Sequence, residues 1–237
     1  MKRAPGFLLL LLTIGCQGDD SVKKLPGRPD IKDRFVWPEK QTDFWKLFNQ
    51  NCRGCHGADG TLGPAPPLRD AIFLTIASTA ELLDTVSEGR AGTSMPGFSK
   101  GHGGTLTDEQ MQILVKGLGK ELWEQGMPPP AGDWPPYAPP AEKGDVARGK
   151  TVFAAACAGC HGDNGTGTKT MGPINDPSFL ALSSEQFLRR IVITGRPDLG
   201  MPNCHEKKGR GADFAPLTNA DVNDVTALVL SWKNSAK

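Results

Sequence analysis

Two five-residue stretches carry the chemistry of this chain, Cys52-Arg53-Gly54-Cys55-His56 and Cys157-Ala158-Gly159-Cys160-His161. Each places two thiols three positions apart with an imidazole directly after. On a helix, positions i and i+3 share a face, so both sulfurs can reach one edge of a planar group while the next residue turns its ring beneath it. Haem c attachment uses this pattern: the thiols form thioethers to the vinyl groups, and the His becomes the proximal iron ligand. Two covalently attached haem c groups are therefore expected, held through Cys52, Cys55, Cys157 and Cys160, with His56 and His161 on the irons. A four-cysteine zinc site usually has its pairs closer in sequence and needs no His after each. A thioredoxin-like pair would sit near a βαβ pattern, and neither flank reads as alternating strands.

The elements that must position these groups occur twice. A constant offset of 106 residues aligns Pro67 with Pro173, Phe73-Leu74 with Phe179-Leu180, Leu82 with Leu188, Val86 with Val192, Gly89-Arg90 with Gly195-Arg196, and Met95-Pro96 with Met201-Pro202. The attachment motifs align at 105, so one residue of slippage falls in the loop between. Such internal repetition predicts two units of one architecture.

Each unit reads as helical. Residues 42–50 place Phe44, Trp45, Leu47 and Phe48 on one helical face, and 147–156 are rich in helix formers around Val152 and Phe153. Capping patterns open further helices at Ser78-x-x-Glu81, Ser183-x-x-Gln186, Thr107-x-x-Gln110 and Thr218-x-x-Asp221, and a Gly stops each middle helix. No segment reads as a strand, which makes the fold class all-α. Each unit is small for an independent core, and a covalent haem would supply the missing apolar centre.

The ends and joints differ in composition. Lys2 and Arg3, an apolar run from Phe7 to Leu12 and then Gly15-Cys16 predict a secretory signal over 1–15, too short to span a bilayer. Leu12-Thr13-Ile14-Gly15-Cys16 resembles the lipobox of bacterial lipoproteins, with Thr13 where Leu is usual. The resemblance implies lipidation of Cys16 and a periplasmic, membrane-anchored protein; an ordinary signal peptide with an incidental Cys is the alternative. Residues 16–40 read as a polar, Pro-interrupted tether. A Pro-rich linker over 123–142 should be extended and stiff, separating a first unit at 41–122 from a second at 143–237, with Trp134 and Tyr137 packing against one of them.

Taken together, each half resembles a class I cytochrome c domain: a leading helix, C-x-x-C-H-G, a Gly- and Pro-rich loop, a middle helix, a Met-Pro loop and a last helix. The pair is similar to the tandem dihaem cytochromes c of bacterial respiratory chains, from about Thr42 to the C-terminus. The resemblance implies that Met95 and Met201 are the distal iron ligands, and the repeat agrees, since they lie 39 and 40 residues after their His. It implies that the carbonyls of Pro67 and Pro173 accept the Nδ1 hydrogen of the proximal imidazoles, with Pro64 and Pro66 competing in the first half. His102 and His205 each follow a ligand Met but at unmatched offsets, so bis-His ligation is the alternative.

These readings point to electron transfer rather than to an enzyme, because an iron with both axial positions filled offers no place for substrate. The expected partners are redox proteins or a respiratory membrane complex. The rivals are a dihaem oxidoreductase of peroxidase or thiosulfate type, or a gas sensor, each needing one labile haem ligand. A formal charge of +1 on 237 residues argues against a nucleic-acid binder. Charge is unevenly divided, with eight Lys or Arg against nine Asp or Glu in 40–122 and twelve against nine in 143–237. Arg196, Lys207, Lys208 and Arg210 flank Met201, an arrangement that would suit an acidic partner.

Overall fold

In a computed structural model, residues 34–119 and 131–235 are described. The signal sequence, Cys16 and the residues up to 33 lie outside them, as do 120–130 at the start of the linker. Among the described residues no strand forms; β-type pairing is limited to isolated bridges at Ser99 with Leu106 and at Arg196 with Met201. Phe35 and Trp37, both exposed, meet edge to face at 5.3 Å. Residues 38–237 form one compact unit.

The first half contains α1 (Phe44–Asn51), α2 (Arg53–His56), α3 (Ala71–Ile76), α4 (Thr79–Glu88) and α5 (Asp108–Gly117). The second repeats the series as α6 (Val146–Ala156), α7 (Ala158–His161), α8 (Pro177–Ala181), α9 (Glu185–Thr194) and α10 (Asn219–Ser235). The expected capping boxes form at Ser78 with Glu81 and at Thr107 with Gln110. Thr218 and Asp221 exchange the same reciprocal bonds ahead of α10. The middle helix of the second half is capped one residue later than the sequence pattern indicated. Ser184 accepts from the Phe187 N–H, while the Ser183 hydroxyl donates back to the Phe179 carbonyl. Two short helices escaped the sequence reading, and both start on an aspartate: Asp70 caps α3, and Asp176, at the repeat offset of 106, caps α8.

In each half the leading helix crosses the last one, and a glycine makes the crossing close. On α6 a Cβ at Gly149 would stand 2.3 Å from the Asp224 carbonyl oxygen of α10. In the first half the glycine is on the other partner: a Cβ at Gly117 of α5 would reach within 2.1 Å of the Phe44 ring of α1. Around the first crossing Phe44, Leu47, Phe48, Phe73, Met111 and Leu114 form the core. Around the second, Phe153, Val225 and Leu228 pack with Trp232.

The linker does not hold the halves apart. Tyr137 is buried in the first half's core against Phe73, and Trp134 stacks on His205 of the second at 4.1 Å. Helix α9 grips the same segment, with Gln186 donating to the Tyr137 carbonyl and Arg189 to the Pro136 carbonyl. Helix α3 packs on α9, and Ile72 joins the cluster of Ile193, Cys204, Phe214, Leu217 and Val222.

Candidate haem centres

Each attachment motif follows directly from the leading helix of its half. Phe48 and Phe153, four residues before the first Cys, are buried, and their carbonyls accept the Cys52 and Cys157 N–H groups at 2.8 Å. One helical turn follows, closed by His56 N–H to the Cys52 carbonyl and His161 N–H to the Cys157 carbonyl, each at 3.0 Å. The thiols at i and i+3 are thereby set on one face with the His at the turn's end.

The loop after each His folds back on this turn. Ala65 N–H donates to the Cys55 carbonyl at 3.0 Å, and Gly167 N–H to the His161 carbonyl at 2.7 Å. Leu68 and Arg69 both donate to the Gly60 carbonyl, and Ile174 and Asn175 repeat that pair on Gly165. The proximal imidazole of the first half is fixed by this loop, its Nδ1 lying 3.0 Å from a proline carbonyl. The proline is Pro66, one of the competing residues, and not Pro67. The Pro67 carbonyl instead accepts from Arg190. In the second half the expected bond to Pro173 is not formed: Pro173 is exposed, and the buried His161 Nδ1 has no hydrogen-bond partner.

The Met-Pro loops are anchored in the same way twice. Gly89 and Gly195 end α4 and α9 with φ of 77° and 69°, a region glycine enters without cost. A Cβ there would lie 2.7 Å from the Met95 carbonyl or 2.5 Å from the Met201 carbonyl. The next residue holds the loop, Arg90 N–H donating to the Met95 carbonyl at 3.0 Å and Arg196 exchanging two backbone bonds with Met201. The repeated Gly ahead of each Met is therefore a backbone requirement.

The donor set fits a covalent haem in each half. Cys52, Cys55, Cys157 and Cys160 form no disulfides. Burial, with Cys55 adding to it, pushes the Cys52 thiol up to about 12, and burial pushes Cys157 up to about 11. Among the described residues no three His, Cys, Asp or Glu side chains converge on one point, so the two Cys pairs do not combine. Burial brings His56 down to about 4 and lowers His161 as well. Each imidazole is thus neutral at physiological pH, and with Nδ1–H donated to Pro66, His56 keeps Nε2 free to bind iron.

His102 is exposed and bonded to the Ser99 hydroxyl at 2.9 Å, while His205 is stacked on Trp134. Cys204 is fully buried in the core of the second half. Of the four cations flanking Met201, two are committed internally. Arg196 pairs with Asp198 at 2.7 Å, and Arg210 donates to the Ala156, Asn203 and Glu206 carbonyls while lying over the Phe214 ring. Lys207 and Lys208 are exposed.

Residues 39–116 match the family of cytochrome c oxidase, cbb3-type, subunit III, and residues 146–233 match the cytochrome c family. The chain is a dihaem c-type cytochrome. Its two domains are all-α and carry two covalently bound haem c groups, one each. This cytochrome is 29% identical over 167 residues to the cbb3-type cytochrome c oxidase subunit CcoP of Azospirillum sp. (strain B510), a match covering 63% of the chain and 51% of the relative. It is 29% identical over 154 residues to the subunit FixP of Bradyrhizobium diazoefficiens, covering 63% and 50%. With CcoP of Cereibacter sphaeroides the identity is 30% over 195 residues, covering 77% and 58%. The cytochrome thus spans about half the length of these relatives. Among its described residues no helix is long and apolar enough to cross a membrane.

Proposed function

We propose that this cytochrome relays electrons between its two haems as a subunit of a respiratory complex on the periplasmic side of a bacterial membrane. What supports the reading is that both haem domains belong to one compact unit and that the relatives to which the chain is similar are cbb3-type oxidase subunits. Bound haem supplies one-electron chemistry at iron. The protein's part is to fix the groups around it. Cys52 and Cys55, and Cys157 and Cys160, would hold the two haems, with His56 and Met95 binding the first iron and His161 and Met201 the second. Pro66 orients the first imidazole. Two protein ligands on each iron would leave it no site for substrate, which disfavours the dihaem oxidoreductase.

Anchorage through lipidated Cys16 is part of the same proposal, because the chains of a bacterial lipoprotein would hold it at the membrane surface. The test is purification from native membranes with partners retained. The haems should become reduced by the respiratory donor and reoxidised when oxygen is admitted, and carbon monoxide should bind them slowly. A chain that purifies alone, fails to cycle with oxygen and takes up carbon monoxide at once would overturn the reading.

A further inference from the structure

Arg190 lies on α9 of the second domain, yet its guanidinium contacts are in the first. Its Nη2 donates to the Pro67 carbonyl, and its Cζ stands 3.5 Å from the centroid of the Phe73 ring. The residue is 8% exposed, its Nε has no hydrogen-bond partner, and among the described residues no carboxylate lies within ion-pair distance. Burial lowers its pKa to about 10, with Tyr137 and Asp70 opposing and Arg90 and Arg196 adding to the fall, so the group stays charged at neutral pH. A buried cation without an ion pair is costly, and a carbonyl, a ring face and the field of the Asp70 carboxylate offset it only in part. Stability alone gives little reason for such a charge.

Its position suggests another. The carbonyl it holds belongs to the residue after Pro66, whose own carbonyl fixes His56. Arg196 reaches the same loop, donating to the Gly63 carbonyl at 3.2 Å, but is neutralised by Asp198. Arg190 is not. The second haem has no equivalent, because the repeat aligns Arg190 with exposed Asp84, and Pro173, which aligns with buried Pro67, faces solvent.

We propose that Arg190 is a cross-domain positioning residue for the first haem: it clamps the proximal loop and, through its buried charge, raises that haem's reduction potential without acting on the second. The physical basis is Coulombic. A ferric haem carries one more positive charge than a ferrous one, so a fixed cation in a poorly screened site penalises oxidation. The inference depends on haem in the first domain and not on the identity of donor or acceptor.

Spectropotentiometric titration of the full haem-loaded chain tests it, the first haem being the component that Met95→His displaces. At the ambient potential where the native first haem is half reduced, Arg190→Met should leave its oxidised-to-reduced ratio about tenfold higher. Arg190→Lys, which keeps the charge and loses the fork, should stay within about twofold, and the second haem should hold within about twofold in both. If the Met variant does not take up haem, Arg190→Gln gives the same comparison, being neutral but able to donate to Pro67. An unmoved first haem in the neutral variant, an equal shift of both haems, or a Lys variant that falls as far as the neutral one would each overturn the proposal.

Discussion

Gly149 of α6 and the backbone of Asp224 on α10 touch so closely that a Cβ at Gly149 would stand 2.3 Å from the Asp224 carbonyl oxygen. The contact lets the first and last helices of the second domain cross at backbone distance, and the attachment turn at Cys157 continues directly from α6. Gly149→Ala must push the helices apart, with Leu228 Cβ 3.0 Å away on the same side. A loss of about 2 kcal/mol or more is expected, read as a lower denaturation midpoint of the haem-loaded protein. The nearby exposed change Lys150→Ala should be close to neutral.

The same crossing contains a pH-sensitive tie. The Asp224 carboxylate accepts from Arg148 Nε at 2.7 Å and Nη2 at 3.1 Å and from the Asp145 N–H at 2.6 Å. Hydrogen bonding from Arg148 holds Asp224 below the usual carboxylate range, helped by the Asp145 N–H and the Arg148 charge and opposed by burial. A carboxyl with a depressed folded-state pKa stabilises the fold above its unfolded value of about 4 and loses that contribution as pH falls through the folded value. Asp224→Asn should therefore cost about 1–3 kcal/mol at pH 7 and much less near pH 2. Equal destabilisation at both pH values in thermal melts would contradict this.

Much of this architecture was legible in the sequence, because its signals are local. The attachment motifs, three of the four caps and the Gly stops depend on residues within one or two turns, and the structure places each as the pattern indicated. Ser183 was misplaced by one residue because Ser184 offers the same hydroxyl. The proline acceptor was ambiguous for a related reason: Pro64, Pro66 and Pro67 are chemically equal, and only the fold of the loop onto Gly60 selects Pro66. The packing of the halves was not legible. Tyr137 was expected to pack on one of the units and does, but no local pattern marks Arg189 and Arg190, whose partners lie 30 to 123 residues away in sequence. One signal was available: the repeat fails at Arg190 and Asp84, and such a break marks where one domain does something its twin does not.

The charged surface near Met201 yields a narrower expectation than the sequence alone. With Arg196 and Arg210 committed internally, steering of an acidic partner falls to Lys207 and Lys208. Electron exchange with the native partner, followed by stopped flow, should slow as ionic strength rises. Charge reversal at both lysines should slow it about tenfold at low salt and leave the haem spectra unchanged. Arg210→Glu should instead disturb the second haem's spectrum, since it breaks three bonds to backbone carbonyls.

The Tyr137 anchor can be tested separately. Arg90 Nη2 donates to its hydroxyl at 2.5 Å, and the ring packs edge to face on Phe73 at 5.7 Å. Tyr137→Ala should cost about 3 kcal/mol or more and expose the domain junction to proteolysis, whereas Tyr137→Phe should cost about 1 kcal/mol.

The central claim is that two haems, each bound by one His and one Met, make this chain an electron carrier with no open iron site. Near-infrared absorption of the ferric protein tests it most directly, because Met-to-iron charge transfer gives a band that other axial ligands lack. The account predicts a band with the intensity of two Met-ligated haems per chain, halved in Met95→Ala and halved in Met201→Ala. A native band worth one haem, or one that survives both substitutions, would contradict it.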